Sequence, residues 1–82
     1  MNRLFINEYI NKITKDDIYN FGLKQNIKIN NHDLDTIYRY IKNERDRLFD
    51  NPIKVINEVK DIVNIDVYNK ILELYNKYKN WI

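Results

Sequence analysis

Ile13–Ile41, which reads ITKDDIYNFGLKQNIKINNHDLDTIYRYI, is the stretch that decides the fold. It opens on Thr14, followed by Lys15-Asp16-Asp17-Ile18. A hydroxyl at a helix N-cap accepts from backbone N–H groups that have no intrahelical partner. An acid three residues on supplies the reciprocal half of a capping box. Asp16 and Asp17 also stand beside the positive end of the helix dipole. Ile13 and Ile18 flank the cap with the spacing of a hydrophobic staple. Ile18, Phe21 and Gln25 then share one helix face. Ile27-Lys28-Ile29 alternates apolar and polar over too short a run for a helix, which predicts an extended link. Asn30 or Asn31 caps a second helix with Asp33 and Asp35 in its first turn. Leu34, Ile37, Tyr38 and Ile41 recur at the helical interval and define its buried stripe.

Outward from this unit the pattern stays helical. Leu4, Phe5, Tyr9, Ile10 and Ile13 predict an amphipathic first helix over Arg3–Lys12 that packs on the central pair, with Asn7 and Glu8 facing away. The other reading of so short a segment is a mobile arm. Gly22, the single glycine, costs a helix interior about 1 kcal/mol against Ala, so it marks a close approach or an early helix end. Lys42–Arg47 has no apolar member and reads as a helix tail or loop in water, with Asn43 ending the helix in the left-handed conformation. Leu48-Phe49 returns to the core. Asp50-Asn51-Pro52 starts a fourth helix running to about Val63, with Ile53, Ile56, Val59, Ile62 and Val63 inward.

Asn64 or Asp66 caps a fifth helix that extends nearly to Ile82. Its stripe is Val67, Ile71, Leu74, Tyr78 and Trp81, and a flanking row of Tyr68, Leu72 and Tyr75 widens it. Glu73 and Lys77 stand in the favourable i,i+4 order for an ion pair. The expected fold is all-α, a single domain over residues 1–82, built as a compact bundle of about five short helices around a helix–extended link–helix core.

A chain of 82 residues lies near the lower limit for a self-supporting core. It contains no Cys, which removes disulfides, thiolate metal sites and thiol nucleophiles, and no Ser. One glycine leaves no glycine-rich phosphate loop. The lone His32 lies in a first turn beside Asp33 and Asp35, without the spaced partners a metal needs. No catalytic residue, cofactor or metal is expected, and no small-molecule substrate is evident. The longest apolar run, Leu4-Phe5-Ile6, is far too short to span a bilayer or to form a signal-peptide core. A cytoplasmic location is the expectation.

Two binding functions remain. The first is a protein-interaction module or homodimer using the broad aromatic band of the last helix, with Tyr75, Tyr78 and Trp81 as partner-binding residues. The second is nucleic-acid binding of the SAP-like helix–extended–helix type, with Lys24, Lys28, Arg39 and Lys42 meeting phosphates. The net charge is only +2, and Asp33 and Asp35 occupy the helix start where a phosphate would profit from the dipole. The protein-interaction reading is therefore preferred.

The segments INKITKDDIYNFGLKQNIKI (Ile10–Ile29), LFD (Leu48–Asp50) and VYNKILELYNKY (Val67–Tyr78) resemble the YqfT-like family of small uncharacterised proteins from AT-rich Gram-positive bacteria. The resemblance implies a small cytoplasmic helical protein. It brings no established activity or functional residues.

Overall fold

The computed structural model describes residues 3–79. Six helices follow one another: α1 (Arg3–Lys12), α2 (Lys15–Lys24), α3 (Asn31–Asn43), α4 (Arg45–Asp50), α5 (Pro52–Val59) and α6 (Ile65–Tyr78). No strand occurs among the described residues, and the chain is an all-α bundle.

The α2–link–α3 unit forms as its residues dictate. Thr14 Oγ1 accepts from the Asp17 N–H at 3.1 Å, and Asp17 Oδ2 accepts from the Thr14 N–H at 2.9 Å, closing the capping box. At the other end Asn26 takes the left-handed conformation with φ 64°. Its N–H donates to Leu23 O at 3.0 Å and that of Ile27 to Gly22 O at 2.9 Å. This is a Schellman stop, formed by asparagine rather than glycine. Gly22 has a different task. A Cβ there would lie 2.8 Å from Ile29 Cδ1 and 3.2 Å from Ile27 O. The missing side chain lets the extended link fold back onto α2.

Asn30 caps α3, accepting from the Asp33 N–H at 2.8 Å. Asn64 caps α6, accepting from the Asp66 N–H at 3.0 Å. Pro52 is at the first position of α5, as expected, but the Asn51 side chain ahead of it makes no capping bond.

Two apolar clusters fill the interior. One joins Ile18, Ile29 and Leu34, with Ile13, Tyr38 and Ile41 packed on it. The other joins Ile56, Val59, Val63, Val67 and Tyr68, with Leu72 and Tyr75 packed on it. Ile27 and Ile37 belong to the margin of both, so the link and α3 weld the halves together. The buried carboxylate of Asp33, 2% exposed, makes a polar weld. Its Oδ2 accepts from the Asn64 N–H at 2.9 Å and from Asn30 Nδ2 at 3.2 Å, while Oδ1 lies 3.1 Å from His32 Nδ1. Asp33 thereby ties the start of α3 to the start of α6.

Several sequence expectations are corrected. Lys42 and Asn43 form the tail of α3, but the run is not a loop beyond them, because α4 begins at Arg45. Asn43 does not end its helix in the left-handed conformation; Glu44, at φ −116° and ψ 24°, serves as the joint between both helices. The charges of this run stitch helices together. Lys42 Nζ donates to Ile10 O at 2.6 Å and Asn11 O at 3.0 Å, capping the end of α1. Arg45 bonds Asn11 Oδ1 at 2.7 Å. Arg47 of α4 pairs with Glu58 of α5, whose other oxygen accepts from the Tyr40 hydroxyl of α3 at 3.4 Å.

In α5 the inward row is Val55, Ile56 and Val59, while Ile53 and Ile62 face water. The helix ends at Val59, short of the expected Val63, so Ile62 lies in the turn beyond it and is not held to the helical row. Glu73 pairs with Lys70 at 3.2 Å rather than with Lys77, whose ammonium lies 5.4 Å from the Tyr78 ring.

Helix α1 is turned relative to its expected orientation. Ile6, Asn7, Ile10 and Ile13 are half-buried, whereas Leu4, Phe5 and Tyr9 are exposed. The sequence carries two apolar rows about 100° apart, Phe5–Tyr9 and Ile6–Ile10–Ile13. The branched aliphatic row takes the inside, and the bonds from Lys42 and Arg45 to the C-terminal end of α1 hold that choice.

Candidate functional site

Turning α1 this way leaves an apolar groove of about 320 Å³ beside it. Ile18, Phe21 and Gly22 of α2 form one wall, and Val67, Lys70, Ile71 and Leu74 of α6 form the other. Ile27 and Ile29 of the link and Ile37 and Ile41 of α3 form the floor, and Tyr9 of α1 closes one end. The groove exists because α2 packs on α3 while α6 packs on α5, so the two walls are carried by different halves of the bundle. The residues at its mouth are not shielded: Tyr9 is 66% exposed and Phe21 49%. The polar groups on the rim are few: Asp17 and Gln25 on the α2 side and Lys70 on the α6 side.

The predicted band of α6 therefore divides in two. The flanking row, Tyr68, Leu72 and Tyr75, packs into the interior cluster. The principal stripe, Val67, Ile71 and Leu74, lines the groove, and Tyr78, 45% exposed, follows Leu74 one turn later on the same row. Of the partner-binding residues read from the sequence, Tyr78 is exposed one turn beyond the groove wall, Tyr75 is half-buried against the core, and Trp81 lies outside the described residues. Sequence reasoning missed Tyr9 and Phe21 as groove residues. Their periodicity marked them as apolar, and nothing local distinguishes an apolar side chain with a covering neighbour from one without.

The basic residues of the alternative reading are dispersed in their tasks. Lys42 is engaged by the α1 carbonyls and lies 5.5 Å from the Tyr38 ring. Arg39 pairs with Asp35 at 3.1 Å, and Lys15 meets the same carboxylate at 2.9 Å. The Lys15 hydrogen bond holds Asp35 below its usual carboxylate range; desolvation opposes it, and the charges of Lys15, Arg39 and His32 add to the lowering. Lys24 and Lys28 are exposed. Lys28 borders a shallow polar depression shared with Asn26, Asn30, Asn64 and Asp66, where the Asp66 carboxylate opposes a phosphate.

Among the described residues no three His, Asp or Glu side chains gather at a site that could hold a metal ion. The His32 ring lies within hydrogen-bond distance of Asp33 and is largely in water. No described helix is long and apolar enough to cross a membrane. No protein family, curated protein or solved structure matches the chain.

Proposed function

We propose that this chain is a non-catalytic, cytoplasmic protein-interaction module whose contact surface is the groove between α2 and α6, extended by the outer row of α1. The observation that carries this reading is the exposure of Tyr9 and Phe21 at one apolar hollow, with Phe5 and Tyr78 exposed one helical turn beyond Tyr9 and Leu74. A contiguous apolar patch of a few hundred Å² on a small domain marks a site of association. Aromatic side chains around a concave apolar centre are the composition of interface hot spots. The rim provides a few polar groups that would orient a partner, as such sites require.

The nucleic-acid reading draws less support, because Lys42 would have to release two backbone carbonyls and Arg39 its carboxylate before either met a phosphate. Affinity capture from native cytoplasm, with and without nuclease, separates the two. The expected result is a protein retained after nuclease treatment and lost when Leu74→Asp blocks the groove. Retention that disappears with nuclease and survives Leu74→Asp would replace this reading with the nucleic-acid one.

A further inference from the structure

We propose that the partner seated on the groove is a second copy of this chain, related by a two-fold axis that runs along the groove. The inference rests on the interaction reading above and names its partner.

Three observations lead to it. The first is the orientation of α1. Asn7 Oδ1 is buried without a hydrogen-bond partner, while Phe5 and Tyr9 are each 66% exposed. Leaving a buried acceptor unmatched is unfavourable, and so is leaving large apolar rings in water. The lone domain accepts both while half-burying Ile6, Ile10 and Ile13, which leaves the aromatic row uncovered. The arrangement is favourable once the Phe5–Tyr9 row is covered.

The second observation is area. The exposed parts of Phe5, Tyr9 and Phe21 amount to on the order of 400 Å². A stable pair of proteins buries about 800 Å² per partner, and weaker, reversible pairs bury less. These rings, together with the apolar lining of the groove that Tyr9 and Phe21 border, reach the reversible class. The bundle is also small enough that association would add materially to its stability.

The third observation selects a copy of the same chain over an unrelated partner. Asp17 stands on the α2 rim and Lys70 on the α6 rim. A two-fold axis along the groove lays the α2 wall of one copy over the α6 wall of the other, as an isologous contact requires. The proposed contact sets Asp17 against Lys70 of the second copy, and Lys70 against its Asp17. Lys70 now pairs with Glu73, itself largely in water, and such a surface pair is weak enough to be exchanged. The same operation brings Phe21 of each copy over the opposite groove.

The test is the mass of the full chain in solution across a concentration series, by light scattering after gel filtration and by sedimentation. The wild type is expected to move from 10.1 kDa towards twice that mass, with a dissociation constant on the order of micromolar. Tyr9→Glu should weaken dimerisation at least tenfold while leaving the helical circular-dichroism spectrum unchanged. Asp17→Lys and Lys70→Glu should each weaken it at least tenfold, and an equimolar mixture of the two should restore a dimer, because the heterodimer regains both opposite-charge contacts. Asp17→Lys also removes half of the α2 capping box, but mixing cannot repair a cap, so rescue reports the interface alone. The proposal is overturned by a wild type that stays at 10.1 kDa at its highest soluble concentration, by a dimer indifferent to Tyr9→Glu, or by a mixture that fails to rescue. A monomeric wild type that still captures a protein dependent on Leu74 would sink the dimer and leave the interaction module standing.

Discussion

Helices α1 and α5 are built from similar material and end in opposite states. Both are short and rich in Ile with a periodic apolar pattern. In α5, Val55 is 1% exposed and Ile56 and Val59 are buried beside it. In α1 no described side chain is fully buried, and the aromatic members of its pattern stand in water. The difference comes from their neighbours. α5 is held between α4 and α6, whereas α1 rests on α3 alone among its larger contacts. Periodicity states which side chains need cover; it does not state how much cover the fold supplies.

The sharpest way to break this comparison is to remove side-chain volume on the covered side. Ile56→Ala should lower the unfolding free energy by about 2–5 kcal/mol, since the surrounding helices cannot close the cavity. Chemical denaturation with an unchanged m-value would confirm it. A loss as small as that expected for surface positions would show that α5 is no better packed than α1.

Next in size is the polar weld between the halves. Asp33→Ala strands the Asn64 N–H and the Asn30 amide, and should cost about 1–3 kcal/mol. Hydrogen exchange should locate the loss at the starts of α3 and α6 together. Exchange that quickens at α3 only would disprove the tie.

Gly22→Ala should be mildly destabilising, because the gain in helix propensity of about 1 kcal/mol is outweighed by contact with Ile29 and the Ile27 carbonyl. Ile29→Val removes the Cδ1 that lies 2.8 Å from the added methyl. The double variant should therefore be more stable than the sum of the two single changes predicts. Strict additivity would mean that the link moves freely on α2.

Acid should act on the covered side as well. Glu58 is held below its usual range, first by the Arg47 hydrogen bond, with the Arg47 charge and the Tyr40 hydroxyl adding to it and desolvation opposing. A carboxyl with a depressed folded value contributes stability that is present above its unfolded value and lost as pH falls through the folded one. The α3–α4–α5 contact should thus loosen below pH 4.5, the ordinary value of a glutamate, and Asp35 should act in the same sense below 3.8. Glu58→Gln should flatten the acid limb of a stability–pH curve. Tyr40 is pushed up, chiefly by burial and then by Glu58, so its contribution holds below pH 10.0 and fades above. An acid limb unchanged in Glu58→Gln would remove the cluster from the account.

The helical class, the caps at Thr14, Asn30 and Asn64, and the extended link were legible because each depends on residues within four positions of one another. The stop at Asn26 was local too, but asparagine is a less regular signal for it than glycine. The orientation of α1 and the split of the α6 band were not legible. Each depends on which distant helix arrives to cover a row, and a periodic pattern with two adjacent apolar rows leaves that choice open. Asp33 looked like an ordinary first-turn acid, because its partner Asn64 lies 31 residues away. Trp81, read as part of the binding band, lies outside the described residues.

The smallest expected effect is the one that separates the two helices most cleanly. Tyr9→Glu changes a ring that is mostly in water already, so in dilute solution it should shift the unfolding free energy by no more than about 0.5 kcal/mol. At concentrations where the chain associates, the wild type gains stability by mass action and the variant does not. The gap between their melting temperatures should therefore widen as protein concentration rises. A gap that is large in dilute solution would mean that Tyr9 supports the monomer, and α1 would then be a covered helix after all. A gap that is small and independent of concentration would mean that nothing covers the Phe5–Tyr9 row in solution. Only a gap that grows with concentration assigns the exposed row of α1 to a partner of the same sequence.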